Sequence, residues 1–402
     1  SVWKWYMQRL RTIDGFRGFF LLFMGIVHFN GVTDVVLGRL NHHRFGWVQD
    51  AQGFVFISGL VVGLVYGKKY LRNPGISNIC APILRRVGTI YSHQVALVVV
   101  MLLAALWLGS EAPSNLGPYQ REPVAFTLSS FLLLTGSTHM GILPMYIFYL
   151  LAVPFALYAL GRGHVVPFVF AVMLAWLFGQ TGLVEQGMES LADWLRPRGL
   201  DLDFGIGFEA FSWQVFFFGG LYFGFRMAEG RLDLAWLGQE QYRVAFFMAL
   251  AAIFMLGLLY RAVNWEMLGA EFSAAFNART DRGLLTSIYP IAFLIDLFAV
   301  VWMLRIGVSD RNRWIRAASA AMAWLFSRRF LVMLGQHSLH VFTWHILMYY
   351  VLATLVPKFD LSEVERTLVL VAAVASLYLA AFGHGWLRER EAATKAATVA
   401  GE

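Results

Sequence analysis

Apolar runs of about twenty residues alternate along the chain with shorter polar links, and the links hold most of the charge. The runs fall at 16–37, 48–66, 88–109, 142–160, 165–183, 210–225, 244–262, 284–304, 330–353 and 367–386. Each comes near the ~20 residues that a helix needs to cross ~30 Å of hydrocarbon. The pattern predicts an all-α polytopic integral membrane protein with about ten transmembrane helices. We expect one transmembrane domain over 1–390 and a short disordered tail at 391–402. The stretch "VAFTLSSFLLLT" at 124–135 is too short to span and reads as a re-entrant or interfacial segment.

Composition agrees with the pattern. Hydrophobic residues make up 58% of the chain and charged residues only 14%, against about a quarter charged in a soluble domain. "VWKWYMQRLR" is followed by no cleavage site and does not read as a signal peptide. The lone cysteine, Cys80, rules out an internal disulfide and a cysteine-based metal site. The net charge of +7 is spread between spans, which speaks for membrane topology and against nucleic acid.

Lys and Arg set the orientation. With the N-terminus in the cytoplasm, the inside links and tail hold 21 of the 32 basic residues and the outside links hold 10, with Arg17 at the boundary. We therefore expect both termini in the cytoplasm. The outside loops 110–141, 184–209 and 263–283 carry 11 of the 25 acids and suit a polar substrate. No matched pair of Gly/Pro-interrupted spans marks the chain as a transporter. A transporter or flippase for a polar or lipid-linked glycan remains the alternative reading, and a sensor or scaffold is a third.

Chemistry gathers in four stretches. In "RGFFLLFMGIVH", Arg17 and His28 share one helix face about 16 Å apart along the axis. The arginine is at the cytoplasmic mouth and the histidine lies past the middle, where an ionisable group faces a cavity or a partner. Asp14 precedes Arg17 by three residues and can pair with it. In "QDAQGFVFISG", Asp50 sits at the outer end of the second span, at the depth of His28. An aspartate there either caps the helix or orients His28 as a general base. Ser58 and Gly59 lie mid-span, as packing or as a polar lining. The third stretch, "ILRRVGTIY", puts Arg85 and Arg86 at the cytoplasmic mouth of the third span, where they anchor topology or fork onto a phosphate. The fourth, "LGQHSLHVFTWH", holds Ser338 near the cytoplasmic end of a span and His345 near its middle. Its histidines lack metal-site spacing, so no metal is expected. Trp47 and Trp265 either stack on sugars or belong to an interfacial belt.

Arg-x10-His, "FVFISG" and "LGxxSLxVFxxH" occur in this order along the chain, and together they resemble the membrane acyltransferases of acyltransferase family three. "IDGFRGFFLLFMGIVH", "DAQGFVFISG" and "ILPMYIFYLLAVP" look most similar to the OpgC family of osmoregulated periplasmic glucan succinyltransferases. That resemblance implies a cytoplasmic acyl-CoA donor, succinyl-CoA foremost, and a periplasmic glucan as acceptor. No permanently bound cofactor is implied. By position, His28 matches the family's histidine and Arg17 its arginine. The Arg-x3-Arg pair of many relatives is absent here, and Lys68 with Arg72, or Arg85 with Arg86, are its nearest equivalents. The bilayer is the expected surrounding, and its apolar belt leaves room for a homo-oligomer.

Overall fold

Inside hydrocarbon, each backbone N–H and C=O must be bonded within its own segment, which leaves the helix as the form open to single apolar runs. The computed structural model describes residues 2–42 and 47–401, with side chains from residue 11 onward and few beyond 390. The Lys4, Arg9, Arg44 and Lys395 side chains counted toward orientation, with Ser1 and Glu402, lie outside the described residues. In chain order the helices are α1 (Val2–Thr33), α2 (Asp50–Arg72), α3 (Ile76–Leu108), α4 (Gly117–Arg121), α5 (Pro123–Phe131), α6 (Ile142–Gly161), α7 (Val165–Gly179), α8 (Leu183–Leu195), α9 (Ala210–Ala228), α10 (Glu240–Asn264), α11 (Ala270–Arg279), α12 (Ile288–Arg305), α13 (Arg313–Phe326), α14 (Arg329–Gln336), α15 (Ser338–Leu355) and α16 (Glu363–Gly401). Among the described residues the one extended pairing is an isolated bridge between Thr135 and Gly205.

Among the described residues, eight helices are long and apolar enough to cross a membrane. The number rises to ten if two bent pairs count as one span each: Val165–Gly179 with Leu183–Arg198, bent by 47°, and Arg313–Phe326 with Arg329–Gln336, bent by 49°. Three of the expected runs differ from the sequence pattern. The expected run 210–225 is α9, a helix that is not among the eight. Ser212, Trp213 and Gln214 open it, and they are buried against protein rather than exposed to lipid. The expected run 165–183 breaks after Gly179, with Gly182 in the left-handed region at φ 68°. The expected run 330–353 breaks at His337, and α13 occupies part of what reads as a cytoplasmic link. The 124–135 segment is the nine-residue α5 followed by a tight turn, about 13 Å of helix and too short to cross.

The helices form two compact units, residues 1–41 with 303–402, and residues 42–302. In the first, α1 crosses α13 and α14 at backbone contact. A Cβ on Gly15 would lie 1.6 Å from the Phe326 carbonyl oxygen, one on Gly18 1.8 Å from that of Leu331, and one on Gly335 1.9 Å from that of Asp14. Phe16 stacks on Phe326 at 3.6 Å beside this crossing. In the second unit, α2 and α9 meet through two small-residue pairs at four-residue spacing, Gly59 with Gly63 and Gly220 with Gly224. Trp47 is also interior here, enclosed by the rings of Tyr260, Phe276 and Tyr289, and its indole N–H donates to the Leu256 carbonyl. It offers no surface for a sugar ring. Trp265 stays 61% exposed beneath the Arg261 guanidinium.

The turn after α5 holds Leu133 and His139 at positive φ, 63° and 71°. Burial, with the Arg282 guanidinium second, pulls the His139 imidazole down to about 4. A histidine whose folded value lies below its unfolded ~6.5 supports folding fully above pH 6.5 and loses that support as pH falls toward 4. The protein is thus expected to melt at a lower temperature at pH 5 than at pH 7. His139→Gln should shrink that difference, and an unchanged difference in a thermal melt would count against the burial argument.

Candidate active site

The first unit builds a polar line along one face of α1. At its start, Asp14 faces the Arg17 guanidinium and accepts a hydrogen bond from the Gln336 side chain. The glycine crossing explains why: with Gly335 seated on the Asp14 backbone, the end of α14 cannot be more than a few ångströms away. Three turns further on, His28 meets His345 of α15, with Nδ1 and Nε2 3.0 Å apart. His345 is 1% exposed, and the rings of Phe342 and Phe29 flank it at 4.9 and 6.4 Å.

The protons on this pair follow from one fixed acceptor. His345 Nδ1 lies 2.7 Å from the Phe342 carbonyl oxygen, which can only accept, so that nitrogen carries the hydrogen. In neutral His345, Nε2 is then the acceptor, and His28 Nδ1 must donate to it. Neutral His28 in turn keeps its lone pair on Nε2. A carbonyl, an orienting imidazole and a basic imidazole stand in series, which is the division of labour a general base needs. When His28 is protonated, its Nδ1–H still donates to His345, so the cation keeps its partner.

Ser338 opens α15 and is buried. At the break before it, two histidines of that fourth stretch, His337 and His340, meet His384 of α16, which the sequence reading did not bring in. His337 and His384 approach at 2.8 Å between their Nδ1 atoms, and His340 stacks on His384 at 3.5 Å. Among the described residues, no group of three His, Cys, Asp or Glu is arranged to hold a metal ion.

The remaining candidates belong to the second unit. Asp50 is the first residue of α2 and is 1% exposed, with its carboxylate 3.0 Å from His42 Nε2. Within this unit the structure gives Asp50 a histidine partner, His42. His42 also lies within electrostatic reach of Asp296 in α12. Neither residue was singled out in the sequence. Asp296 was detectable as an acid inside an apolar run, whereas His42 lies in a polar link and gives no such signal. Ser58 is buried on α2. Arg85 and Arg86 sit on α3 itself and reach Tyr66 electrostatically. At 33 residues α3 is about 50 Å long, well beyond ~30 Å of hydrocarbon, so its first turns project.

These features define a multi-pass, all-helical membrane protein with a histidine pair within one of its bundles. The chain belongs to the OpgC protein family, whose model matches residues 9–389, nearly its whole length. No curated protein and no solved structure matches it. Membership places it among glucan-modifying acyltransferases.

Proposed function

We propose that this protein transfers an acyl group, succinyl foremost, from cytoplasmic acyl-CoA to a hydroxyl of a periplasmic glucan across the bacterial inner membrane. The observation that carries this reading is the His28–His345–Phe342 series, which leaves His28 Nε2 as a base. In the proposed step His28 Nε2 takes the proton from a sugar hydroxyl as that oxygen attacks the thioester carbonyl. The tetrahedral intermediate expels the CoA thiolate, and the imidazolium returns the proton to sulfur, leaving a sugar ester and free CoA. Direct transfer is favoured over an acyl-histidine, because an acyl imidazole open to water would hydrolyse. Arg17 lies about 16 Å along α1 from His28, of the same order as a pantetheine arm. Its guanidinium suits the donor's phosphates.

The test uses protein in lipid nanodiscs with succinyl-CoA and a linear or cyclic glucan, read by mass spectrometry. Wild type is expected to add succinyl mass and His28→Ala to add none. A gain in both would remove His28 from the centre. Arg17→Ala is expected to weaken acyl-CoA binding by about tenfold, as for a lost charge-assisted hydrogen bond, with turnover at saturation little changed. An unchanged affinity in calorimetry would sink the donor role.

A further inference from the structure

We propose that the 42–302 unit carries a binding groove for a bilayer lipid whose headgroup bears a primary ammonium. The inference is independent of acyl transfer and rests on a cavity of about 1380 Å³ formed by α6, α7 and α9, with α8 and the 203–209 segment at one end.

The walls are apolar and made wide by small residues. Ala152, Ala156 and Ala159 line it from α6, and Ala171 and Ala175 from α7. From Phe148 to Ala159, α6 follows the groove for about 16 Å, roughly half of the ~30 Å hydrocarbon thickness. That is the reach of an acyl chain within one leaflet. The groove is open to the surroundings, since Phe155 on its wall is 66% exposed and Phe211 is 45% exposed. What sets this surface apart from the rest of an apolar membrane-facing exterior is its concavity, a groove of about 1380 Å³ with acids at one end.

The α8 end has the opposite character. Glu185, Glu189 and Asp193 fall on successive turns of α8 and all line the cavity, joined by Asp203, Glu209 and Asp281. Arg196 is the single cation among the lining residues. One of these acids has an unmet demand. Glu209 Oε2 accepts the Ser212 N–H, but its buried Oε1 has no hydrogen-bond donor among the described residues. Carboxylates only accept, and an ammonium brings three donors and no acceptor. An anionic headgroup without an amine would instead meet like charge. Arg196, 2.7 Å from Asp193, supplies the counter-charge for the phosphate that joins ammonium to chain in an ethanolamine phospholipid. Chain-length groove and acceptor-rich end therefore fit one molecule, with its ammonium on the acids and its tail along the alanines.

The test measures lipid retention by native mass spectrometry on delipidated full-length protein in detergent. The probes are phosphatidylethanolamine, its N-acetylated derivative and phosphatidylglycerol, all with the same chains. We expect phosphatidylethanolamine to bind on the order of threefold or more above either competitor, the range of a few exposed ion pairs. The double substitution Glu185→Gln with Glu189→Gln should remove that preference while leaving the lipid-free melting temperature unchanged. Ala156→Phe, which fills the channel, should lower retention of all three. Equal retention of the three lipids by wild type would overturn the proposal, as would a preference that survives both variants.

Discussion

Replacing His345 with alanine is expected to cut turnover on the order of a hundredfold while leaving apparent affinity for acyl-CoA nearly unchanged. His345 is a positioning residue in the proposed mechanism, since it acts on the substrate only through His28. Without it, nothing on α15 tells His28 which nitrogen to protonate, and the imidazolium loses its acceptor 3.0 Å away. His345→Gln is the informative companion. A glutamine can set its amide oxygen near the place of His345 Nε2 and so accept from His28 Nδ1. It should recover about tenfold over alanine. A merely structural role predicts otherwise: glutamine and alanine would be equally poor, and activity would fall only as far as the melting temperature does. Steady-state kinetics beside a thermal melt, on the same preparations, separates the two.

Much of the fold was legible because length and hydropathy suffice for a span. The runs that became α2, α6, α10, α12 and α16 needed nothing more. What the pattern could not show is what each helix touches. α9 reads as a lipid-facing span from composition, yet it is buried against α2 because two glycines on each helix admit the other's backbone. The break at His337 carries no proline, and neighbouring Gly335 reads as an ordinary packing glycine until α1 is placed on it. The candidate site divides the same way. His28 was legible as an ionisable group inside an apolar run, a local property. Its partner was not, because His345 is 317 residues away and is brought in by tertiary packing alone. Asp50 was read as an orienting acid for a histidine. It does sit on one, but the pairing with His42 was hidden in the ten-residue polar link at 38–47, which no periodicity describes.

Gly59→Leu is expected to be the most damaging substitution in the 42–302 unit. Even a Cβ there would fall 1.9 Å from the Phe217 carbonyl oxygen, a backbone atom that no rotamer can move. The partner helix repeats the constraint, with a Cβ on Gly220 2.0 Å from the Phe56 carbonyl oxygen. Leucine must therefore push α2 and α9 apart along their whole contact, which costs more than the usual ~1–3 kcal/mol of an overpacked core. We expect a melting temperature lower by on the order of 10 °C, or no monodisperse protein in detergent. Gly219→Leu is the control, because a Cβ on the adjacent Gly219 meets nothing within 4 Å. Similar melting of the two variants would mean that the helices do not cross as described. The same geometry operates in the other unit, where a Cβ on Gly18 would fall 1.8 Å from the Leu331 carbonyl oxygen. Gly18→Leu should thus turn or lift α1 relative to α14 and α15. It is expected to abolish turnover without touching a reacting group, because the rotation of α1 decides whether His28 meets His345 at all.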